Sequence, residues 1–436
     1  MRTARTITKN SIWLLSGEIA GKAIVFLIML IIARRLGVEN FGKFTLAQSI
    51  VMIFAVISDL GLNIFLFREI PQNKRSVTNY VGNIFLIRVA LSLLFFGALI
   101  LFLKLVNYEQ EIKEVTYILG LWLCFTNLTY VFRTVFKALE IMVWDAIINI
   151  LDTFFRLIFI LVFFFWGITL FKVAFAYMAS AFIACCLGFY IFYQKNNLRD
   201  FKIDLSIWKE FSKEMGSLAL VAILIPIFGK FDSVVLAHFR GNEAVGYYNA
   251  AAKIVWMLLL VPGMFTQAAF PKLSQFSVND QSKFRALVSY LLKGNLFITG
   301  MICLMLFFWA KPVLILIYGK EYLAAVSVFQ ILVWALLFHG LNGVFIYSLN
   351  ARKKQTVNVV MILTTITINV SCAILLAPDF GYLGVAFSTV GSLLFMFVGY
   401  FVYFLKHRYV SISKLRFSIA DYWLLKQVVN PKGDYE

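Results

Sequence analysis

The chain has 436 residues, of which 61% are hydrophobic and only 14% are charged. Soluble globular proteins contain about 25% charged residues, and a soluble fold would leave this much apolar surface exposed in large patches. The composition therefore excludes an ordinary soluble domain and predicts a protein whose solvent is lipid. The formal net charge of +18 is spread over short segments between apolar stretches, which argues against a nucleic-acid-binding domain.

The first apolar stretch begins near Ile12 and has no small-residue cleavage site, so we expect a membrane span there and not a removable signal peptide. Twelve stretches reach the roughly 20 apolar residues that a spanning helix needs. They are 12–33, 44–67, 81–105, 115–137, 143–166, 170–193, 214–238, 246–270, 289–310, 323–349, 356–377 and 383–405. The predicted fold class is an all-α membrane protein of about twelve transmembrane helices.

A polar interval at 194–213 divides the spans six and six. We therefore predict an N-terminal six-helix lobe at 1–200, a C-terminal six-helix lobe at 201–405 and a cytoplasmic tail at 406–436. With the N-terminus inside, 25 Lys and Arg residues lie in cytoplasmic segments and 9 in outer loops. This bias follows the positive-inside rule and places both termini in the cytoplasm.

An internal repeat relates the two halves. The segment ARRLGVENFGKFTLA (33–47) aligns with AHFRGNEAVGYYNAA (237–251) at a constant offset of 204, and five of the fifteen positions are identical. Residue frequencies alone would give roughly one identity. Six helices per copy keep both copies in the same orientation, which is a parallel repeat of the kind found in two-lobed transporters.

Cofactor chemistry finds no support in the sequence. Five cysteines lie in apolar segments without metal-ligand spacing to the three histidines, so we expect them to be packing residues and expect no metal site. The string GEIAGKA (17–23) is too short for a phosphate-binding loop and ends in Ala. The sequence predicts no cofactor, no ATP hydrolysis and no enzymatic activity.

Five segments occur in order along the chain: LGVENFGKFTLAQS, SDLGLNIFLFREI (58–70), FDSVVLAHFRGNEAVGYYNAAAKI (231–254), AAFPKLS (268–274) and YGKEYLAA (318–325). Together they resemble the polysaccharide transporters of the oligosaccharide flippase family. The resemblance implies a bacterial inner-membrane flippase that moves an undecaprenyl-pyrophosphate-linked oligosaccharide, such as an O-antigen or capsule unit, to the outer leaflet. Membrane lipids and a polysaccharide polymerase are the other expected partners.

Three other functions stay open from the sequence. A drug or metabolite exporter of the same superfamily would bind cations in acidic pockets, and a lipid-sugar transferase would need clustered acids with a metal or a histidine. A non-transporting interaction protein would leave charges within the spans without a role. A gradient of H⁺ or Na⁺, the membrane potential or consumption of the product outside are all compatible energy sources.

Ten charged residues fall inside the predicted spans, where an uncompensated charge costs several kcal/mol. The cations are Lys22, Arg88, Arg133, Arg156, Lys230 and Lys253, and the acids are Glu18, Asp59, Asp152 and Asp232. The excess of two positive charges is about what one pyrophosphate diester would neutralise.

Two structural ion pairs are predicted among these residues. Asp152 and Arg156 are four residues apart with the acid first, which is the better order on a helix. Asp59 and Arg88 lie on consecutive antiparallel spans at the same depth, roughly 10–12 Å from the cytoplasmic surface at 1.5 Å per residue. Arg133 lies one turn from the end of its span and is predicted to extend to the surface.

Lys22, Lys230 and Lys253 are the predicted contacts for the substrate pyrophosphate between the lobes, with Arg88 as a fourth. The resemblance implies substrate-facing cations on the first and eighth helices, which carries onto Lys22 and Lys253 by helix and depth. A lysine ammonium binds phosphate oxygens as a point charge.

Structural pairing is the alternative for two of these lysines. Glu18 lies four residues before Lys22, and Asp232 lies at the same predicted depth as Lys253. A lysine neutralised in this way would not be available to an anionic substrate.

The topology generates the first testable prediction. Single cysteines placed on a cysteine-free background at Asn197, Asn279 and Lys354 should be closed to an impermeant thiol reagent applied outside intact cells. Cysteines at Asn242 and Asp379 should react. Labelling of the Asn197 position from outside would contradict the predicted division into two six-helix lobes.

Overall fold

The computed structural model describes residues 2–72, 77–195, 202–213 and 229–410, with side chains described for 21–71, 77–194, 202–213 and 229–410. Within these ranges the chain is helical and contains no β-strand. The first fifteen residues of the seventh predicted span (214–228) and the tail residues 411–436 lie outside the described part. The predicted all-α fold class is confirmed.

The first half of the described chain contains seven helices. They are α1 (Arg2–Asp59), α2 (Leu62–Gln72), α3 (Val77–Leu105), α4 (Gln110–Ala138), α5 (Met142–Phe165), α6 (Leu170–Lys195) and α7, described over 205–213. Helix α4 packs against α6, and α1 packs against α5, α4 and α3. Each of these helices therefore buries one face against its neighbours and leaves the remaining surface to the acyl chains.

The second half contains six α-helices and one short 3₁₀ turn in the described residues. They are α8 (Phe231–Leu258), α9 (Leu260–Asn279), α10 (Gln281–Phe308), α11 (Ala310–Tyr318), the 3₁₀ turn Lys320–Tyr322, α12 (Ala325–Ala351) and α13 (Gln355–Lys406). Helix α12 is central, because it packs against α13, α10 and α9.

Glycines divide the longest helices into separate spans. Eight described helices are long and apolar enough to cross a membrane, and the bent pair formed by α1 and α2 would be a ninth. Helix α13 has 52 residues, which at 1.5 Å per residue is far longer than the roughly 30 Å of a bilayer core. Gly381 has a non-helical backbone (φ 57°, ψ −135°) and breaks it into two arms. Gly37 breaks the 58-residue α1 in the same way.

The backbone supports the internal repeat. Gly37 has φ 72° and ψ 175°, and Gly241, its match at the offset of 204, has φ 77° and ψ −176°. This conformation is essentially restricted to glycine. Two glycines aligned by sequence alone thus make the same bend, which explains why both copies keep a glycine there.

The chain forms two compact units, Met1–Ala237 and His238–Glu436. The predicted lobe boundaries stay a prediction, and residues 202–213 of the polar interval pack on the first unit. The Asn83 amide donates to the Lys202 carbonyl (2.8 Å), and its Oδ1 accepts from the Asp204 backbone N–H (2.9 Å) and the Trp208 indole (3.1 Å). Phe211 is buried in the core of the same unit.

The Gly241 bend predicts that alanine destabilises the protein at Gly241 but not at Gly300, a glycine within a regular helix. A Cβ added at Gly241 would meet no atom within 4 Å, so Gly241→Ala should lose only backbone energy, about 1–3 kcal/mol. Gly300 has equally open space but lies within α10, and Gly300→Ala should be neutral or stabilising by about 0.5–1 kcal/mol. Thermal unfolding of the purified variants in detergent measures both. Equal midpoints for the two variants would contradict a strained bend.

Candidate functional site: charges within the spans

Arg88 closes a break in the second predicted span. Helix α1 ends at Asp59, Leu60 and Gly61 adopt positive φ, and α2 begins at the next residue. The fully buried Arg88 donates from Nη1 to Asp59 Oδ1 (2.7 Å) and to the Ser58 carbonyl (2.7 Å), and from Nη2 to Asn63 Oδ1 (2.6 Å). A helix end in lipid has carbonyls without helical partners. Arg88 satisfies one of them and neutralises the adjacent carboxylate.

This cluster joins four helices. Asn127 of α4 donates to the Ser58 hydroxyl at 2.6 Å, so α4 contacts the same break that Arg88 of α3 spans from the other side. Removing any one partner would leave polar groups of the others buried without compensation. The predicted Asp59–Arg88 pair is present. Arg88 also donates to Ser58 and Asn63, two contacts that the comparison of depths did not predict.

Arg133 is held inside the protein, so the prediction that it extends to the surface is wrong. Its Nε lies 2.6 Å from Oδ1 of Asp145, and Lys137 Nζ lies 3.4 Å from the other oxygen. Asp145 is only 3% exposed. These residues flank the short turn between α4 and α5 and therefore lie at the same depth, a relation that the sequence contains but that the span analysis overlooked.

Two further charged residues, one acid and one cation, lie within the predicted spans and leave their net charge unchanged. Asp145 lies within the predicted span 143–166, and Lys293 lies within 289–310, where its side chain is 6% exposed. Adding both gives seven cations and five acids, so the excess stays at two when four other residues near span ends, Lys104, Lys137, Lys172 and Glu214, are left aside. At the repeat offset of 204 the counterpart of Arg88 is Leu292, and Lys293 is the next residue, so Lys293 and Arg88 each lie about three turns into their helices, α10 and α3 respectively.

The second predicted pair is also present, on α5. Arg156 Nη2 lies 2.6 Å from Asp152 Oδ2, and its Nε donates to the Ser180 hydroxyl of α6 at 3.2 Å. The guanidinium carbon lies 4.5 Å from the ring centroid of Tyr177. Arg156 therefore joins α5 to α6 through an ion pair, a hydrogen bond and a cation–π contact.

The three predicted substrate lysines lie on α1 and at or near α8. Lys22 is exposed, next to Gly21, where an added Cβ would lie 3.0 Å from Asn149 Nδ2, so α1 approaches α5 closely there. Lys230 immediately precedes α8 and Lys253 lies within it, and both are partly buried. Their joint contact with a substrate stays a prediction.

The alternative partners of these lysines are only partly described. The Glu18 side chain lies outside the described residues, and Asp232 is 1% exposed. A pair between Asp232 and Lys253 stays a prediction. In the described residues no group of three or more His, Cys, Asp or Glu side chains is arranged to hold a metal ion.

Residues 7–277 match the family model described as polysaccharide biosynthesis protein. The match covers more than half of the chain. The chain belongs to this family. A relative from Shigella flexneri that is named as an O-antigen transporter is 22% identical over 405 residues, which cover 88% of this chain and 94% of the relative.

Two solved structures share the fold. The lipid II flippase MurJ in an inward closed conformation superposes with a TM-score of 0.74, at 17% identity, over 97% of this chain and 96% of that one. An inward-facing multidrug transporter of the MATE family has a TM-score of 0.68, at 16% identity, over 88% of this chain and 94% of that one. At these identities the similarity establishes the fold, and it is shared by flippases and drug exporters alike.

The Arg88 cluster predicts strong coupling between its two charges. Asp59→Ala leaves a fully buried guanidinium without its carboxylate and should cost about 3–5 kcal/mol. The double variant Asp59→Ala, Arg88→Met should regain part of this loss, because no uncompensated charge remains. Thermal unfolding in detergent and the amount of membrane-inserted protein are the measurements.

A matched control lies on the same helix. Glu39 is 65% exposed in its side chain and lies 3.6 Å from Lys43, so Glu39→Ala should cost less than about 1 kcal/mol. If the effects of the Asp59 and Arg88 changes simply add, the two residues are not coupled.

Proposed function

We propose that this protein is a flippase for an undecaprenyl-pyrophosphate-linked oligosaccharide, such as an O-antigen or capsule repeat unit. It takes the lipid-linked sugar from the cytoplasmic leaflet and releases it in the outer leaflet. The observation that carries the proposal is the family match over residues 7–277. The whole-chain relationship to a protein named as an O-antigen transporter supports it.

The charge pattern favours an anionic substrate over a cationic drug. Three of the five acids in the spans, Asp59, Asp145 and Asp152, are held by arginines at 2.6–2.7 Å. A site for cationic drugs requires acids that face the transport path, whereas these carboxylates stabilise helix contacts. The excess of cations within the spans suits a pyrophosphate.

Lys22, Lys230 and Lys253 are the side chains that we propose contact the pyrophosphate. Each is at least partly accessible in its own unit, and three ammonium groups can follow a phosphate diester as it moves, because point charges impose little geometry. Arg88 is fully buried and bonded to three acceptors, so we leave it out of the contact set.

We place the protein in the inner membrane with both termini in the cytoplasm, as the 25-to-9 distribution of cations predicts. Transport by alternating access is consistent with a fold of two repeated units. H⁺ or Na⁺ as a coupling ion and a polysaccharide polymerase as a partner belong to the proposal and depend on the same substrate.

The test removes the three lysine charges together. Losing one charge-assisted contact costs about 1.5–3 kcal/mol, which corresponds to roughly 10- to 150-fold in binding, so Lys22→Gln, Lys230→Gln or Lys253→Gln alone should impair export. The triple variant should abolish surface polysaccharide and cause lipid-linked precursor to accumulate. Both are measured in a deletion strain complemented with each variant.

The control changes the same charge elsewhere. Lys209, Lys311 and Lys320 are exposed and lie outside the predicted spans, so their triple replacement by Gln should export normally. A Lys22→Arg, Lys230→Arg, Lys253→Arg variant should retain more export than the Gln variant. Full export by the well-expressed Gln variant would show that these lysines do not contact the substrate.

A further inference from the structure

An open cavity of about 420 Å³ lies in the second unit, where the bend of α8 at Gly241 meets the bend of α13 at Gly381. Its volume falls within the range of small-molecule sites. The side chains that line it include Arg240, Glu243, Tyr247, Asp379, Phe380 and Tyr382. Under the predicted topology this is the outer end of the unit, at the loops that follow the seventh and eleventh spans.

Aromatic rings form one wall of the cavity. The rings of Tyr247 and Tyr382 meet edge to face, with centroids 5.9 Å apart and planes at 68°. The Tyr322 ring also contacts Tyr247 edge to face, with ring centroids 6.4 Å apart and planes at 87°. The Tyr247 hydroxyl donates to Glu243 Oε1 at 2.8 Å, so its ring orientation is fixed at both ends.

Arg240 holds the two bends together. Its guanidinium donates to the carbonyls of Ala377 (3.3 Å), Pro378 and Asp379 (2.8 Å), which end the first arm of α13. A Cβ added at Gly381 would lie 3.5 Å from the Arg240 side chain, which is ordinary van der Waals contact, so the positive φ of the bend and not the approach of Arg240 requires the glycine. The cavity is therefore a built feature whose polar rim consists of the exposed carboxylates of Glu243 and Asp379.

The corresponding position in the first unit has different side chains. Glu39 and Lys43 correspond to Glu243 and Tyr247 at the repeat offset of 204. Lys43 Nζ lies 2.7 Å from Glu109 and 3.1 Å from Glu111, so one ammonium group binds the two carboxylates in a closed ion cluster. The fold thus accepts a closed ion cluster at this position, and it does not require the aromatic pair that the second unit has.

We propose that this cavity binds the saccharide portion of the transported lipid at the outer face. The C–H faces of a pyranose ring pack on aromatic rings, and its hydroxyls donate to carboxylates and accept from the Tyr382 hydroxyl, since the Tyr247 hydroxyl already donates to Glu243. With Arg240 committed to backbone carbonyls, the remaining charge is negative, so neutral or amino sugars are preferred to uronic acids. The inference rests on the proposed flippase function and on the predicted orientation.

Saturation-transfer NMR on the purified full-length protein in nanodiscs tests this binding. The probe is the repeat-unit oligosaccharide released by mild acid from the lipid-linked precursor of the same strain. The wild-type protein should transfer saturation to the ring C–H protons of the sugar, and Tyr247→Ala, Tyr382→Ala should lose the signal. Tyr108→Ala, which changes a tyrosine in the loop between α3 and α4 of the first unit, should retain it.

A second variant separates binding from folding. Leu383 also lines the cavity and has no proposed contact with the sugar, so Leu383→Cys on a cysteine-free background is allowed to fold and is then labelled with a bulky impermeant maleimide, which fills the cavity. The unlabelled variant should bind the sugar and the labelled one should not. Absence of transfer to the wild-type protein, or full transfer after labelling or in the folded double tyrosine variant, would overturn the proposal.

The outcome is distinguishable from failure of the proposed function. A deletion strain that still exports its polysaccharide would refute the flippase function whatever the NMR result. A strain that loses export on deletion, together with a wild-type protein that shows no sugar signal, would refute only the cavity as a saccharide site.

Discussion

In the hydrocarbon core no water satisfies a polar group, so the chain must supply a partner for every exposed carbonyl and every charge. The break between α1 and α2 shows the consequence. The positive φ of Leu60 and Gly61 interrupts the helix within a predicted span, and Arg88 supplies the compensating donors from α3, with Asn63 and Asn127 completing the set. A break of this kind is possible only where such a cluster exists, which ties helix geometry to the positions of the buried charges.

The two repeated units show how one backbone serves two chemistries. Gly37 and Gly241 make nearly the same bend, yet six residues further the first unit has Lys43 in a closed ion cluster and the second has Tyr247 beside an open cavity. A duplicated fold needs its bends in both copies, whereas side chains at the membrane surface are free to diverge. Such asymmetry suits a transporter in which this position stabilises the fold in the first unit and, as we propose, binds the substrate in the second.

Hydropathy predicted the membrane class and the approximate spans, and depth along consecutive helices predicted the Asp59–Arg88 pair. Hydropathy also separated the spans 356–377 and 383–405, which are the two arms of α13 on either side of the Gly381 bend, but it does not give the conformation of that bend. The role of Asp145 follows from the short turn between α4 and α5, which places it beside Arg133; the sequence contains this relation, but the span analysis did not consider charges across the turn. The cavity joins segments about 140 residues apart, and only the folded chain brings Arg240 to the carbonyls of α13.

The direct measurement of flippase activity uses purified protein reconstituted into vesicles that contain the lipid-linked oligosaccharide. Periodate, which does not cross the membrane, oxidises only sugars in the outer leaflet, so protein-free vesicles should stop at the outer half of the substrate. Vesicles with this protein should proceed towards complete oxidation, either spontaneously or when an H⁺ gradient, an Na⁺ gradient or a membrane potential is imposed. Oxidation that stops at the same half under all of these conditions would contradict a flippase.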